Sequence, residues 1–308
     1  MKRVLIGGIV FLLVFFLGGI ILNAFISPVK SPSSSSPRQI TEKPPEQPDT
    51  PVRNVNNQSI KEVSSITKND TSLGKIAIVV DDLGWVTSTA RLIDRFPVPV
   101  TLAVLPGRPN SRKLYRRWNK RYEFILHQPM EPVGYPEDDP GKLALMTSMN
   151  SSKIRTRLNK VLDRFPRVVG INNHMGSAFT QDPSSMQVLM DVLAERNLFF
   201  MDSLTTNSSV AERIARRNEV PFLKNHVFLD HKRSRKFVKK QLNKMAQIAR
   251  ENGHAIGIAH AQSSTALKVI LKSVRSLRNR GYQFVYLSEL ARKSGANRKL
   301  QTIKKDKL

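Results

Sequence analysis

The chain has 308 residues, and its 50 Lys and Arg against 24 Asp and Glu give a formal net charge of +26. It contains no cysteine, which excludes a fold held together by disulfides. The charge favours anionic partners. Because the sequence carries none of the usual nucleic-acid-binding motifs, we expect an anionic lipid or polymer at the basic surface and no nucleic acid.

The N-terminal segment, residues 1–26, is apolar apart from Lys2 and Arg3. As a helix it is long enough to cross the hydrocarbon core of a bilayer, about 30 Å. It shows no small-x-small cleavage site of the kind that ends a signal peptide. Because cationic flanks stay in the cytoplasm, we predict an uncleaved transmembrane signal anchor, with the rest of the chain on the periplasmic side of an inner membrane.

Residues 27–73 are rich in Pro, Ser, Gln and Asn and contain few apolar side chains. Such a composition buries too little surface to offset chain entropy, so it predicts a disordered linker. The linker leads to a folded domain predicted over residues 74–291. Residues 292–308 are strongly basic and predict a solvated tail that can lie on an anionic surface.

Within 74–291, short apolar runs alternate with amphipathic stretches of helical length, which is typical of repeated βα units and a largely parallel sheet. The predicted strands are residues 75–80, 100–105, 123–126, 168–172, 198–201, 227–229, 255–259 and 283–287. The predicted helices lie near residues 88–95, 111–121, 152–165, 184–196, 209–218, 233–252 and 264–280.

Acidic side chains and imidazoles collect where these strands end. The residues are Asp81, Asp82, His127, His174, Asp202, Asp230, His231 and His260, and Asn173 precedes His174. The carboxyl ends of parallel strands open on one face, where ligands and catalytic groups of α/β proteins lie. Loops are polar in general, but Ser or Lys would satisfy that need equally well, so the bias towards Asp and His favours a functional site.

Two adjacent carboxylates, Asp81 and Asp82, stand at the end of the first strand. Their repulsion drives their pKa values apart, which suits one as a base and the other as a metal ligand. Carboxylate and imidazole ligands are those of a catalytic divalent metal, with zinc the first choice. Such a metal activates water for the hydrolysis of an amide or ester.

Seven segments resemble, in chain order, the divergent polysaccharide deacetylase family, a branch of the NodB-like carbohydrate esterases. They are VVDDLG (79–84), PVPVTLAVLP (97–106), ILHQPMEP (125–132), GINNHMGSAFT (170–180), LFFMDS (198–203), VFLD (227–230) and SEL (288–290). The resemblance implies a deformed (β/α) barrel of about six to eight mostly parallel strands. It further implies a metal-dependent carbohydrate deacetylase, which releases acetate from an N-acetylated cell-envelope glycan such as peptidoglycan.

Carried over by position, the resemblance implies that Asp81 is the catalytic base and Asp82 the metal-binding aspartate. It implies that His260 protonates the leaving amine. Ordinary members of the superfamily have a second histidine four residues after the first, but Glu131 holds that place after His127. They also have an Arg-x-Pro-Tyr segment, which is absent from this chain.

Two metal-ligand sets therefore remain open: Asp82 with His127 and His174, or a set that includes Glu131. Additional candidate site residues are Asn173, Asp202 and Asp230. For both aspartates the alternative is that they cap the helices that follow. The altered ligand pattern also keeps open an inactive module that binds glycan or serves envelope assembly, although such a module has no need of an acid–base set.

Overall fold

A computed structural model of the chain describes residues 72–294. The predicted anchor, nearly all of the linker and most of the basic tail lie outside the described residues, so they stay predictions. Between residues 72 and 294, no helix combines the length and the apolar character needed to cross a membrane.

The described residues form nine strands that belong to one sheet. These are β1 (Gly74–Leu83), β2 (Thr101–Val104), β3 (Glu123–Met130), β4 (Val168–Met175), β5 (Phe199–Asp202), β6 (Phe222–Lys224), β7 (Val227–Phe228), β8 (His254–His260) and β9 (Tyr282–Phe284). The α-helices that precede β9 are α1 (Ala90–Ile93), α2 (Ser111–Trp118), α3 (Ser151–Leu162), α4 (Pro183–Glu195), α5 (Ala211–Arg217), α6 (Arg235–Asn252) and α7 (Ser264–Asn279).

The strand order is β6-β5-β4-β3-β2-β1-β8-β7, and each pairing is parallel. β9 pairs with the first residues of β1, and β2 pairs with the last. The predicted fold, a deformed barrel of mostly parallel strands joined through helices, is confirmed. Because the strands are parallel, their carboxyl ends lie on one face of the barrel.

Side-chain alternation divides the core into two layers. Ala77 and Val79 of β1 belong to an interior cluster, with residues from strands across the sheet. Their neighbours Ile76, Ile78 and Val80 pack into the larger layer between the sheet and the helices. Each is fully buried, and burying a Val or Ile side chain contributes about 1.5–3 kcal/mol. The interior cluster lies directly below the strand ends that carry the candidate site.

Two parts of the sheet differ from the sequence prediction. β6 was missed, because a three-residue strand that follows Pro221 gives no periodic signal. The strand predicted at 283–287 ends at Phe284, and residues 287–294 are helical. There Leu287, Leu290 and Ala291 join the interior cluster. Their i, i+3, i+4 spacing is that of one helix face, and it outweighs the β-branched and aromatic residues before them.

Candidate metal centre

The interior side of the barrel changes from apolar to polar at the carboxyl ends of the strands. In β1, β3 and β8, Val79, Ile125 and Ile258 belong to the interior cluster. The next residues of the same alternation are Asp81, His127 and His260. In β4 the interior positions after Gly170 are Asn172 and His174, and after Met201 of β5 comes Ser203. Strand alternation alone thus directs these polar side chains into the open end of the barrel at the carboxyl ends of the strands, here called the mouth.

Asp82 breaks this alternation. Its φ of 58° puts it in the left-handed region, and the register between β1 and β2 shifts at this point. A left-handed backbone at a non-glycine residue costs about 1–3 kcal/mol. The twist turns the carboxylate towards His127 and His174, so that the two adjacent aspartates serve one site.

Asp82, His127 and His174 converge on one point. Oδ1 of Asp82 lies 3.0 Å from Nδ1 of His174 and 3.3 Å from Nε2 of His127. The two ring nitrogens are 3.1 Å apart. Across residues 72–294, these three side chains are the one cluster of His, Asp or Glu with ligand atoms close enough to share a metal ion.

The cluster fits a metal. Ligand atoms around a tetrahedral zinc, with bonds of about 2.0–2.1 Å, are about 3.3 Å from one another, which matches these distances. Oδ1 of Asp82 is buried and accepts no hydrogen bond, and such an unpaired oxygen is costly unless a cation satisfies it. Nδ1 of His127 lies 2.9 Å from the amide oxygen of Asn172. That oxygen accepts only, so Nδ1 carries the proton and Nε2 presents its lone pair to the cluster.

The charges of the cluster agree with a cation site. Burial favours protonation of Asp82, but His127 and His174 outweigh burial and hold its pKa below the usual range. Burial lowers the pKa of His174. Burial also acts against a charged His127, yet Asp81 and Asp82 raise its pKa. Protons and a metal ion therefore compete for the same lone pairs, and a metal would displace the protons.

Asp81 lies beside the cluster and is almost fully buried. Its oxygens are 3.0 and 3.2 Å from the amide nitrogen of Asn172, and Oδ2 is 3.7 Å from Nδ1 of His127. Burial raises the pKa of Asp81, although His127 and His260 oppose the shift. A carboxylate whose pKa is raised towards the working pH is suited to accept a proton.

His260 is paired in register with Asp81, on the neighbouring strand. Its Nδ1 lies 2.8 Å from Oδ1 of Asp230, and its backbone N–H donates to Oδ2 of Asp230 at 3.0 Å. Burial would lower the pKa of His260, but the hydrogen bond and the charge of Asp230 raise it to about 9. The imidazole is therefore charged at neutral pH and holds a proton to donate.

Asp230 does not cap the following helix, which was the alternative for it. Ser234 is the N-cap of α6 instead, and the carboxylate of Asp230 is occupied by His260. Asp202 does have local structural contacts, because its oxygens accept from the Leu204 N–H and the Ser209 hydroxyl. Of the two candidates, Asp230 belongs to the site and Asp202 shapes the loop beside it.

Glu131 and Asn173 lie outside the ligand cluster. Oε2 of Glu131 accepts from the backbone N–H and the hydroxyl of Thr147, so it fastens a loop. Oδ1 of Asn173 accepts from the N–H of Ser203, and its Nδ2 donates to the carbonyl of Met175. The geometry thus favours the ligand set without Glu131.

Sequence reasoning selected Asn173 and missed its neighbour Asn172. Asn172 is fully buried, contacts both Asp81 and His127, and is paired in register with His127. The signal was present, because His174 and Asn172 are two residues apart and so lie on the same side of a strand. Gln262 was also missed. Its amide donates to Oδ2 of Asp82 at 3.3 Å.

The fold and the site together define a polysaccharide-deacetylase-like protein: a curled parallel sheet whose mouth holds an Asp–His–His cluster beside an aspartate and an Asp–His pair. The sequence profile of the divergent polysaccharide deacetylase family matches residues 78–291. The chain belongs to that family, as the resemblance of its motifs predicted.

The chain is 34% identical over 204 residues to an uncharacterized protein of Haemophilus influenzae, a match that covers 66% of this chain and 72% of that one. It is also 34% identical over 205 residues to the uncharacterized protein YibQ of Escherichia coli, where the match covers 66% of this chain and 63% of YibQ. Among solved structures, the uncharacterized protein ATU2773 of Agrobacterium tumefaciens superposes with a TM-score of 0.68 at 28% identity, and covers 70% of this chain and 89% of its own. These similarities agree with the predicted family and fold.

Proposed function

We propose that the chain is a metal-dependent hydrolase that removes acetyl groups from an N-acetylated glycan of the cell envelope, with peptidoglycan as the expected polymer. The observation that carries the proposal is the convergence of Asp82, His127 and His174 on one point, next to Asp81 and to the Asp230–His260 pair. A site that only binds sugar needs neither a metal nor a base and an acid.

Asp82, His127 and His174 would hold the cation, and their donor set suits zinc best. When bound, a divalent cation there polarises the acetyl carbonyl and lowers the pKa of a water molecule. Asn172 and the backbone twist at Asp82 hold the ligands and the base in place before substrate arrives.

Asp81 is the proposed base. It would take a proton from the water as the oxygen of that water forms a bond to the acetyl carbon. Its burial supports this role, because a desolvated carboxylate with a raised pKa accepts a proton more readily than an exposed one.

His260 is the proposed acid. As the C–N bond of the amide breaks, the leaving nitrogen needs a proton, and the charged imidazole of His260 would supply it. Asp230 keeps that proton in place at neutral pH through its hydrogen bond to Nδ1. The products are acetate and a free amine on the sugar. The predicted anchor, residues 1–26, would place this chemistry on the periplasmic side of the membrane.

The test compares His174→Ala with a matched control, His231→Ala. His231 is an exposed imidazole outside the cluster. Zinc content and acetate release from N-acetylated peptidoglycan and chitin oligosaccharides are measured on the purified full-length proteins. We expect the His174 variant to lose bound zinc and at least about 100-fold in turnover, and the control to keep both. A wild-type protein that binds one zinc but releases no acetate, or a His174 variant as active as wild type, would refute the hydrolase and favour the binding module.

A further inference from the structure

Helices α6 and α7 carry a large excess of positive charge. The sequence of α6, RKFVKKQLNKMAQIAREN, has six Lys or Arg and one acid, Glu251. The sequence of α7, STALKVILKSVRSLRN, has four and no acid. Lys232 and Arg233 add to this charge just before α6. Like charges so concentrated repel one another and destabilise the folded state. An anionic partner bound to these helices would relieve that repulsion.

Between the two helices lies a groove of about 400 Å³. It is lined by Arg235, Lys236, Lys239, Lys268, Val269, Lys272 and Ser273. All five cationic side chains are exposed. Among residues 72–294, no carboxylate forms an ion pair with any of them. The charges therefore face open space that an anion can enter.

The two helices that line the groove begin close in sequence to residues of the candidate metal centre. α6 begins at its cap Ser234, four residues after Asp230, and α7 begins at its cap Ser263, three residues after His260. Arg235 and Lys236 lie in the first turn of α6, where the helix dipole adds positive potential, and the other three cations lie one or two turns further along α6 and α7. The chain path thus connects the first residues of both helices directly to Asp230 and His260.

The shape of the groove distinguishes between anionic partners. A flat lipid surface would meet the outer sides of α6 and α7, but a space between two helices admits a chain. The cations stand in two facing rows, with Arg235 and Lys239 on α6 and Lys268 and Lys272 on α7. Each pair is one helical turn apart, about 6 Å along the axis. Such rows suit a polymer with repeated negative groups.

We propose that this groove binds an acidic glycan strand and holds its carboxylates while an acetylated sugar occupies the metal centre. The inference rests on the proposed function and narrows its substrate class. The preferred polymer bears carboxylates, as the peptide stems of peptidoglycan do, and neutral chitin-like chains lack the groups that the groove would hold.

The test uses two double variants of the full-length protein with equal loss of charge. Lys239→Gln/Lys268→Gln removes one cation from each side of the groove. Lys240→Gln/Lys244→Gln removes two exposed cations of α6 that do not line it. Co-sedimentation with purified peptidoglycan at several salt concentrations gives the Kd. Binding to vesicles that contain anionic phospholipid is measured in parallel.

We expect the groove variant to bind peptidoglycan about tenfold more weakly, and the control to change by less than about twofold. With neutral chitin oligosaccharides, acetate release should be the same for both variants and wild type. The inference is overturned if wild type does not bind peptidoglycan, if the two variants weaken equally, or if only vesicle binding falls. If groove-dependent binding persists but no protein releases acetate, the groove stands and the proposed hydrolase fails, so the two failures can be told apart.

Discussion

The side-chain amide of Asn172 lies 3.0 Å from Oδ2 and 3.2 Å from Oδ1 of Asp81, within hydrogen-bond reach of both oxygens of the proposed base. The other end of the same amide group accepts from Nδ1 of His127. One buried side chain therefore fixes the orientation of the proposed base and the tautomer of a proposed metal ligand.

Replacing Asn172 with Ala should weaken zinc binding and turnover together, each by about 10–100-fold, because His127 loses the partner that sets its tautomer. Zinc affinity is measured by competition with a chromophoric chelator, and turnover by acetate release. Asn173→Ala is the matched comparison, since Asn173 contacts loop residues and no ligand. Equal zinc affinity in wild type and Asn172→Ala would show that Asn172 has no positioning role.

Zinc should stabilise the protein against heat. A ligand at about 100 times its Kd adds about 2.7 kcal/mol, which for a domain of this size raises Tm by about 5–10 °C. Differential scanning calorimetry with and without zinc measures the shift. The His174→Ala variant should show almost none of this zinc-induced shift in Tm, and the His231→Ala variant should show the full shift. A full shift in the His174 variant would place the metal elsewhere.

Replacing Glu131 with Gln decides between the two ligand sets. Because Glu131 holds Thr147 and not the cluster, zinc stoichiometry should remain unchanged while the free energy of unfolding falls by about 1 kcal/mol. Metal analysis and urea denaturation give the two values. Loss of zinc from this variant would restore Glu131 as a ligand and contradict the geometry.

The Asp230–His260 pair predicts how activity depends on pH. His260 with a pKa of about 9 keeps its proton at neutral pH, so the alkaline limb of the rate profile should fall near pH 9. The Asp230→Asn substitution removes the negative charge that raises the pKa of His260 against the effect of burial. The alkaline limb should therefore move to lower pH. The measurement is kcat/KM from pH 6 to about 10. A profile that does not move on this substitution would remove Asp230 from the mechanism.

The same pair affects stability, with a definite sign. Since the folded-state pKa of His260 is raised, its contribution is fully present below the ordinary pKa of 6.5 and is lost as pH rises through about 9. Urea denaturation between pH 6.5 and about 9 should show that the free energy of unfolding of the wild type falls as His260 loses its proton. The Asp230→Asn variant should lose less between pH 6.5 and 9, and an identical loss in both proteins would contradict the linkage.

Much of this arrangement was readable in the sequence, and the physical reason is the parallel sheet. Apolar runs ending in Asp or His predicted which side chains meet, and the predicted cluster of Asp82, His127 and His174 has ligand distances in the structure. Counting by twos from His174 would also have found Asn172. The pairing of Asp230 with His260 was not predictable in the same way, because it depends on β7 lying beside β8.

Other features had no local signal. The left-handed backbone at Asp82 coincides with the register shift between β1 and β2, which no spacing of residues reveals. The bond from Glu131 to Thr147 joins positions whose approach depends on the path of the intervening loop. The strand predicted over residues 283–287 runs past the end of β9 because its apolar residues continue to Leu287, and a short mixed run does not separate the two periods.

The left-handed twist at residue 82 also limits how this scaffold can change over time. Few side chains tolerate that conformation, and after glycine the best are asparagine and aspartate. A glutamate there would keep the negative charge but strain the backbone, whereas Asp82→Asn would leave the chain path intact and remove the charge that attracts a cation. Inactive homologues that keep this fold are therefore expected to carry asparagine or glycine at position 82.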